Sequence, residues 1–219
     1  MSEEKHKNSD IDNIQSVISK HPEVVVEIAT NTQLCRVQPT RHKDPIFYNK
    51  DSDSRYGDAY KEIGVCYVAG SSEVAIAETF QHGADGPDSP VLLVEIEERS
   101  LHQLKAARPL RVIDVARAAA FGGRKLRHLV EAKGQGSEGY SLTQTLSAAI
   151  MRHEGEFDGL LYTSTVFPAA ASIEGCNLVL FGGREIQLKP ESSEPLTQAE
   201  LASGKTAIEF LLDLNVSVE

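Results

Sequence analysis

The stretch 64–81, GVCYVAGSSEVAIAETFQ, constrains the chain most, because it reads as a short strand delivered directly into a helix. Val65, Val68, Ala69, Val74, Ala75, Ile76, Ala77 and Phe80 account for the packing of both elements. Gly70-Ser71-Ser72 breaks the strand, and either serine can cap the helix that follows. Packing does not account for Glu78, a carboxylate inside an otherwise apolar helical turn, so Glu78 is taken as the chemical centre. Tyr67, on the strand, brings an aromatic ring with a polar tip to the same unit.

Around this unit the chain predicts short strands at 33–38 (QLCRVQ), 91–96 (VLLVEI), 111–115, 159–162 and 177–181 (NLVLF), with an edge strand at 185–188. Helices are predicted over 11–19, over 116–130 with an interruption at Gly122-Gly123, and over 141–152. Ser141 and Gln144 have capping-box spacing at the start of the last of these. Segment 24–28 fits either a helix extension or a strand. The acidic tail after Pro190 predicts a helix capped at Thr197 and Glu200, and its end, FLLDLNV, is apolar enough to dock. Helices and strands do not alternate with a regular βαβ period, so a doubly wound sheet is a poor match. An α+β fold with a curved or split sheet around a cleft fits better. The expected layout is an N-terminal extension over 1–30, partly disordered or helical, a central domain over 31–190, and a C-terminal extension over 191–219.

A chain of 219 residues supports one domain with a real core. Its net charge of -10 gives nothing to counterion release, which argues against direct nucleic-acid binding. The polar opening MSEEKHKNSD has no signal-peptide core, and no apolar run is long enough for a bilayer. A cytoplasmic protein without membrane contact is therefore expected. Cys35, Cys66 and Cys176 are scattered and odd in number, which is not a disulfide framework. The histidines show no zinc-site spacing, so no metal is expected. The glycine-rich segment 132–139 lacks the context of a phosphate-binding loop and reads as a connector.

One ordered series runs through most of the chain: Arg36 in the first strand, Arg55 at a loop end, Tyr67-x-Ala69, Ala75-x-x-Glu78, Asp158-Gly159-x-x-Tyr162-x-Ser164, and Asn177-Leu178-Val179-Leu180-Phe181. Over about residues 33–183 this series resembles the RES domain family. The resemblance implies a fold like that of ADP-ribosyltransferases, a split, curved mixed or antiparallel sheet with surrounding helices and an NAD cleft. It implies a toxin of a bacterial toxin–antitoxin pair that consumes NAD by cleaving the nicotinamide–ribose bond. ADP-ribose would pass to water or phosphate, or alternatively to a protein target. A non-catalytic NAD-binding module is the reading from a different class. The implied partner is an antitoxin with a helix-turn-helix domain that covers the cleft. The helix at 141–152 or the tail leaves room for a homodimer.

Carried onto this chain, the resemblance makes Arg36 and Arg55 the arginines that hold NAD, Tyr67 the pocket tyrosine, Glu78 the glutamate and Ser164 the serine. The chemistry is consistent with those residue types. Two arginines from separate segments can fork onto pyrophosphate oxygens. A single carboxylate suffices for an oxocarbenium-like state when the leaving group is already cationic nicotinamide. Ser164 has no nucleophile elbow around it and is expected to hydrogen-bond nicotinamide, a ribose hydroxyl or Glu78 rather than attack. Tyr162 and Ser164, two residues apart, would share a face of an extended segment and line one wall. His82, one turn past Glu78, is a secondary candidate for proton transfer, and Asp158 is expected to form a turn.

Overall fold

The computed structural model describes residues 2–51, 53–80, 89–122, 140–167 and 172–219. Its helices are α1 (Ser2–Lys20), α2 (Ser72–Phe80), α3 (Leu93–Glu97), α4 (Val115–Phe121), α5 (Ser141–Met151) and α6 (Ala207–Asp213). Its strands are β1 (Val25–Ile28), β2 (Gln33–Pro39), β3 (Val65–Ala69), β4 (Arg99–Ala106), β5 (Leu110–Asp114), β6 (Gly159–Thr163), β7 (Cys176–Phe181) and β8 (Leu188–Pro195). The strands form one sheet in the order β1-β5-β6-β7-β3-β2-β4-β8. Every pairing is antiparallel except β5 with β6. This is the α+β arrangement that the element list predicts.

The sheet has a seam. β3 pairs with β7 through five registered residues, and β2 pairs with β4 through seven. β2 and β3 share a single register pair, Cys35 with Ala69. Beyond that pair the strands part, so the sheet behaves as two halves joined at one point. The core divides in the same way. On one half Ile14, Ile18, Ile113, Leu146, Ile150, Leu160, Val179 and Phe181 are buried together beneath α1, α4 and α5. On the other, Val74, Ile76, Ala77, Phe80, Leu101, Phe210 and Leu211 are buried together, joining α2 and α6 to the sheet. A third cluster, including Leu34, Cys66, Leu104, Val112, Leu178 and Leu180, runs across both halves. Each fully buried Leu, Ile or Phe in these clusters stabilises the fold by roughly 1.5–3 kcal/mol relative to exposure.

Local chemistry explains the element boundaries. Ser71 Oγ accepts the Val74 amide at 3.2 Å and its hydroxyl donates to Glu174 O at 2.7 Å, so the cap of α2 is also fastened to the chain before β7. A Cβ on Gly70 would lie 1.8 Å from Ile173 O, so only glycine permits that approach. At α6, Thr206 accepts the Glu209 amide while Glu209 accepts the Thr206 amide, a reciprocal capping box. Thus the tail does end in a docked helix, but over 207–213 rather than from Thr197. α5 begins at Ser141 without the expected Ser141–Gln144 box. Its first turn is held instead by Thr143 Oγ1 donating to Tyr140 O at 3.0 Å.

Four further segments differ from expectation. The apolar run 91–96 is mostly α3 rather than a strand. Leu92, Leu93 and Val94 are exposed, Val91 and Ile96 are buried, and Glu95 accepts the Leu92 amide at 3.0 Å. The strand-like part of the run is confined to a parallel bridge from Val91 to Val218. β4 has no apolar run to announce it, yet it is central in its half of the sheet, between β2 and β8. The edge strand is β8, beginning at Leu188 where the predicted one ends. It carries the polar residues Lys189, Glu191, Ser192, Ser193 and Glu194, and Pro190 and Pro195 lack an N–H, which blunts the edge against further pairing. α1 starts at Ser2 and is longer than the helix predicted over 11–19, and its Ile14 and Ile18 reach the core. The connector predicted at 132–139 and the second half of the predicted 116–130 helix lie outside the described residues.

Candidate functional site

Where β2 and β3 part, a cavity of about 330 Å³ opens. β2 contributes Cys35, Arg36 and Val37 to its lining, and β3 contributes Tyr67, Val68 and Ala69. α2 adds Ala75, Glu78 and Thr79, while Tyr162 comes from β6 and Asn177 from β7. The strand–helix unit 64–80 therefore supplies about half of the wall. The seam brings that unit to β2 on one side and to β6–β7 on the other. Four of the six predicted site residues, Arg36, Tyr67, Glu78 and Tyr162, meet in this lining.

Glu78 is half-buried, and its Oε1 accepts from Asn177 Nδ2 at 2.7 Å. Asn177 is itself buried, at 5% exposure. It stands opposite Tyr162 in the β6–β7 ladder and opposite Ala69 in the β3–β7 ladder. Sequence reasoning placed Asn177 at the head of a motif in the ordered series but gave it no role in the site. The available signal was a carboxamide heading the apolar run NLVLF, a polar group that burial forces to find a partner.

The tyrosines form the aromatic wall. Tyr56 and Tyr162 lie with ring centroids 4.9 Å apart and planes tilted by 40°. Tyr67 accepts the Tyr56 amide at 2.9 Å on its hydroxyl oxygen and donates to Ser54 Oγ at 3.1 Å. Burial pushes the Tyr67 phenol up to about 12, against the opposing pull of those two hydrogen bonds. Burial also drives Tyr162 well above the ordinary tyrosine value, with the charges of Tyr67 and Glu78 acting in the same direction. Both phenols are therefore neutral donors at neutral pH. Cys35 is raised by burial too, so the cavity wall holds a thiol and not a thiolate nucleophile.

Arg36 is half-buried, and its Nη1 donates to Pro45 O at 2.7 Å and to Cys66 Sγ at 3.0 Å. Its neighbour across the β2–β4 ladder is His102, whose ring nitrogens are buried with no hydrogen-bond partner among the described residues. Burial and the Arg36 charge hold His102 below its ordinary value, so it stays neutral beside the guanidinium.

The other two predicted residues stand apart from the lining. Arg55 belongs to the loop before β3, with its guanidinium carbon 5.2 Å from the Tyr56 ring centroid. Its positive charge opposes the upward shifts of Tyr56, Tyr67 and Tyr162, which places it close to all three. Ser164 is 1% exposed and lies just past the end of β6. Its Oγ accepts the amides of Val166 at 3.2 Å and Phe167 at 3.1 Å, so it organises the turn leaving the strand. The alternation that would align it with Tyr162 stops with the strand at Thr163. His82 lies outside the described residues.

Two ion pairs with buried carboxylates brace the surroundings. Arg152, the residue that ends α5, pairs with Asp58 at 2.9 Å through both Nη nitrogens, and Asp58 also accepts the amides of Tyr60, Glu62 and Ile63. This anchors the loop that carries Arg55. Arg108 donates to Asp158, which also accepts the Arg111 amide at 2.8 Å and a Gln187 side-chain bond at 3.2 Å. Asp158 thus fastens the start of β6 to β5, a structural role. Among the described residues no group of three or more His, Cys, Asp or Glu side chains is arranged to hold a metal ion. No helix among them is long and apolar enough to cross a membrane.

This is an α+β protein whose curved sheet is nearly split at a cavity, and the same fold occurs in a solved toxin–antitoxin structure. A chain of the crystal structure of the M. tuberculosis MbcT–MbcA toxin–antitoxin complex superposes over 94% of this protein and 98% of itself, with a TM-score of 0.59 at 15% sequence identity. A family model described as RES domain matches residues 33–199, and the chain belongs to the RES domain family. No curated protein matches the chain.

Proposed function

We propose that this protein is a toxin-like enzyme that consumes NAD by breaking the bond between nicotinamide and its ribose. The observation that carries this reading is the meeting of Arg36, Tyr67, Glu78 and Tyr162 on one cavity at the seam of the sheet, with Arg55 against the Tyr56 ring beside it. The volume is at the lower end of the range of roughly 300–1,000 Å³ typical of ligand pockets. It suits the nicotinamide–ribose end of the dinucleotide, with the remainder running toward the arginines.

In this mechanism the cationic nicotinamide ring lies against Tyr67 and Tyr162. Arg36 and Arg55 hold the pyrophosphate through forked hydrogen bonds. The C1′–N bond breaks, and its electron pair leaves with neutral nicotinamide. Positive charge develops at C1′ and the ring oxygen, where the Glu78 carboxylate stabilises it. Water or phosphate then adds to C1′, losing a proton as the new C–O bond forms. Ser164 supports the wall by fixing the turn after β6. NAD is the substrate, and no metal takes part.

RES membership and the fold shared with a toxin–antitoxin complex favour a toxin held in check by a protein antitoxin. A helix-turn-helix antitoxin covering the cavity, in the cytoplasm, is the arrangement proposed. The test is to incubate the purified protein with NAD, with and without phosphate, and to identify products by mass. Nicotinamide together with ADP-ribose, or with its 1″-phosphate, supports the reading. NAD left intact overturns it.

A further inference from the structure

We infer that Asn177 is a positioning residue that holds the Glu78 carboxylate aimed into the cavity. The inference rests on the NAD-cleaving role of Glu78 and adds a residue to which no part has been assigned. Asn177 is almost wholly buried, and its side-chain amide donates to Glu78 Oε1 at 2.7 Å. A buried carboxamide with this partner restricts the Glu78 rotamer, so the second oxygen is offered to the substrate in one orientation.

The backbone makes this possible. Asn177 is registered with Tyr162 on one side and Ala69 on the other, so two ladders fix its Cα. Glu78 comes from a helix capped onto the chain just before β7 through Ser71 and Glu174. Donor and acceptor therefore come from elements tied to each other at a second point. Ser164 Oγ, expected to meet nicotinamide, a ribose hydroxyl or Glu78, accepts the Val166 and Phe167 amides. The titratable and charged groups around the pair are Tyr162 on β6, Tyr67 on β3, Cys35 and Arg36 on β2, and Tyr56 and Arg55 on the loop. The phenols and the Cys35 thiol are raised and neutral at neutral pH.

Asn177→Asp is nearly isosteric and replaces the donor by an acceptor. Two carboxylates at this separation share a proton and titrate as a pair. The expected result is a fall of at least tenfold in kcat at pH 7, with KM for NAD within about threefold of the parent. The acid limb of the pH–rate profile moves up by a unit or more, and activity recovers as pH rises past it. Asn177→Leu keeps the size without the donor; it lowers kcat and does not recover at high pH. A merely structural Asn177 would lower both variants' stability and leave the acid limb in place, which overturns the inference, as does an Asn177→Asp variant with the parent's rate and profile. Carboxyl NMR titration with Glu78 site-labelled gives a readout independent of turnover. A midpoint that moves up in Asn177→Asp while the parent fails to cleave NAD would keep the Asn177–Glu78 contact and sink the NAD reading. A midpoint that does not move would sink the contact itself.

Discussion

Replacing Tyr67 by Phe separates the two tasks that this residue performs. The ring lines the cavity, and the hydroxyl clasps the loop that carries Arg55. Phe keeps the ring and its packing. It removes the acceptor for the Tyr56 amide, whose residue is 1% exposed, and the donor to Ser54 Oγ. A buried amide left without an acceptor costs about 1–3 kcal/mol, and the Ser54 bond adds about 0.5–1.5 kcal/mol, so a loss near 2–3 kcal/mol is expected. Part of that loss is felt in binding, because a loosened loop must be reordered when Arg55 takes up phosphate. If about half is recovered that way, NAD affinity falls roughly tenfold, since 1.4 kcal/mol is one decade. Urea denaturation reads the first quantity. Calorimetric titration of NAD in a Glu78→Gln background, where turnover is suppressed, reads the second. A Tyr67→Phe protein as stable as the parent would refute the clasp. A destabilised protein that binds NAD unchanged would refute the link between clasp and Arg55. The phenol also predicts an alkaline signature. Its folded value is raised to about 12 from 10.0, so its contribution to stability is complete below pH 10 and is lost as pH rises through about 12. Tyr67→Phe should therefore flatten the alkaline fall in stability.

Three further outcomes follow from the surrounding structure. Burial alone would raise Asp158, but Arg108, the Arg111 amide and Gln187 outweigh it and hold the carboxyl below its ordinary 3.8, so its stabilisation is present above that value and disappears as pH falls through the folded one. Asp158→Asn should lower stability at pH 7 and make acid unfolding shallower, as followed by circular dichroism. Arg152→Leu leaves the Asp58 carboxylate, 0% exposed in its side chain, with backbone amides alone; a loss of about 3–5 kcal/mol in urea denaturation is expected. Gly70→Ala forces a Cβ against Ile173 O and should separate β3 from the segment before β7, lowering the melting temperature and disturbing the cavity together.

The sequence carried much of the site because its key residues conflict with their surroundings. Glu78 stands among Ala75, Ile76, Ala77 and Phe80, and Arg36 interrupts a strand, so each asked for an explanation that packing does not give. Tyr162 could be placed because it lies within a strand whose alternation holds. Ser164 lies one residue past that strand, where the chain turns and the hydroxyl is spent on local amides. Asn177 acquires meaning only from the long-range registers that set it beside Tyr162 and Ala69 and under Glu78, which no local pattern encodes. The fold followed the same rule. β3, β6 and β7 are compact apolar runs. β4 mixes Arg99, His102, Gln103 and Lys105 into a strand that is nonetheless central in its half of the sheet. Segment 91–96 is apolar, but among the described residues its strand-like pairing is the bridge from Val91 to Val218, and most of it coils into α3.

The most direct measurement is nicotinamide release from NAD by the parent and by Glu78→Gln, run side by side with NAD binding to both. The account predicts turnover by the parent, a loss of at least a hundredfold in the variant, and binding retained by both. Equal release by the two proteins, or none by either despite tight binding, would contradict it.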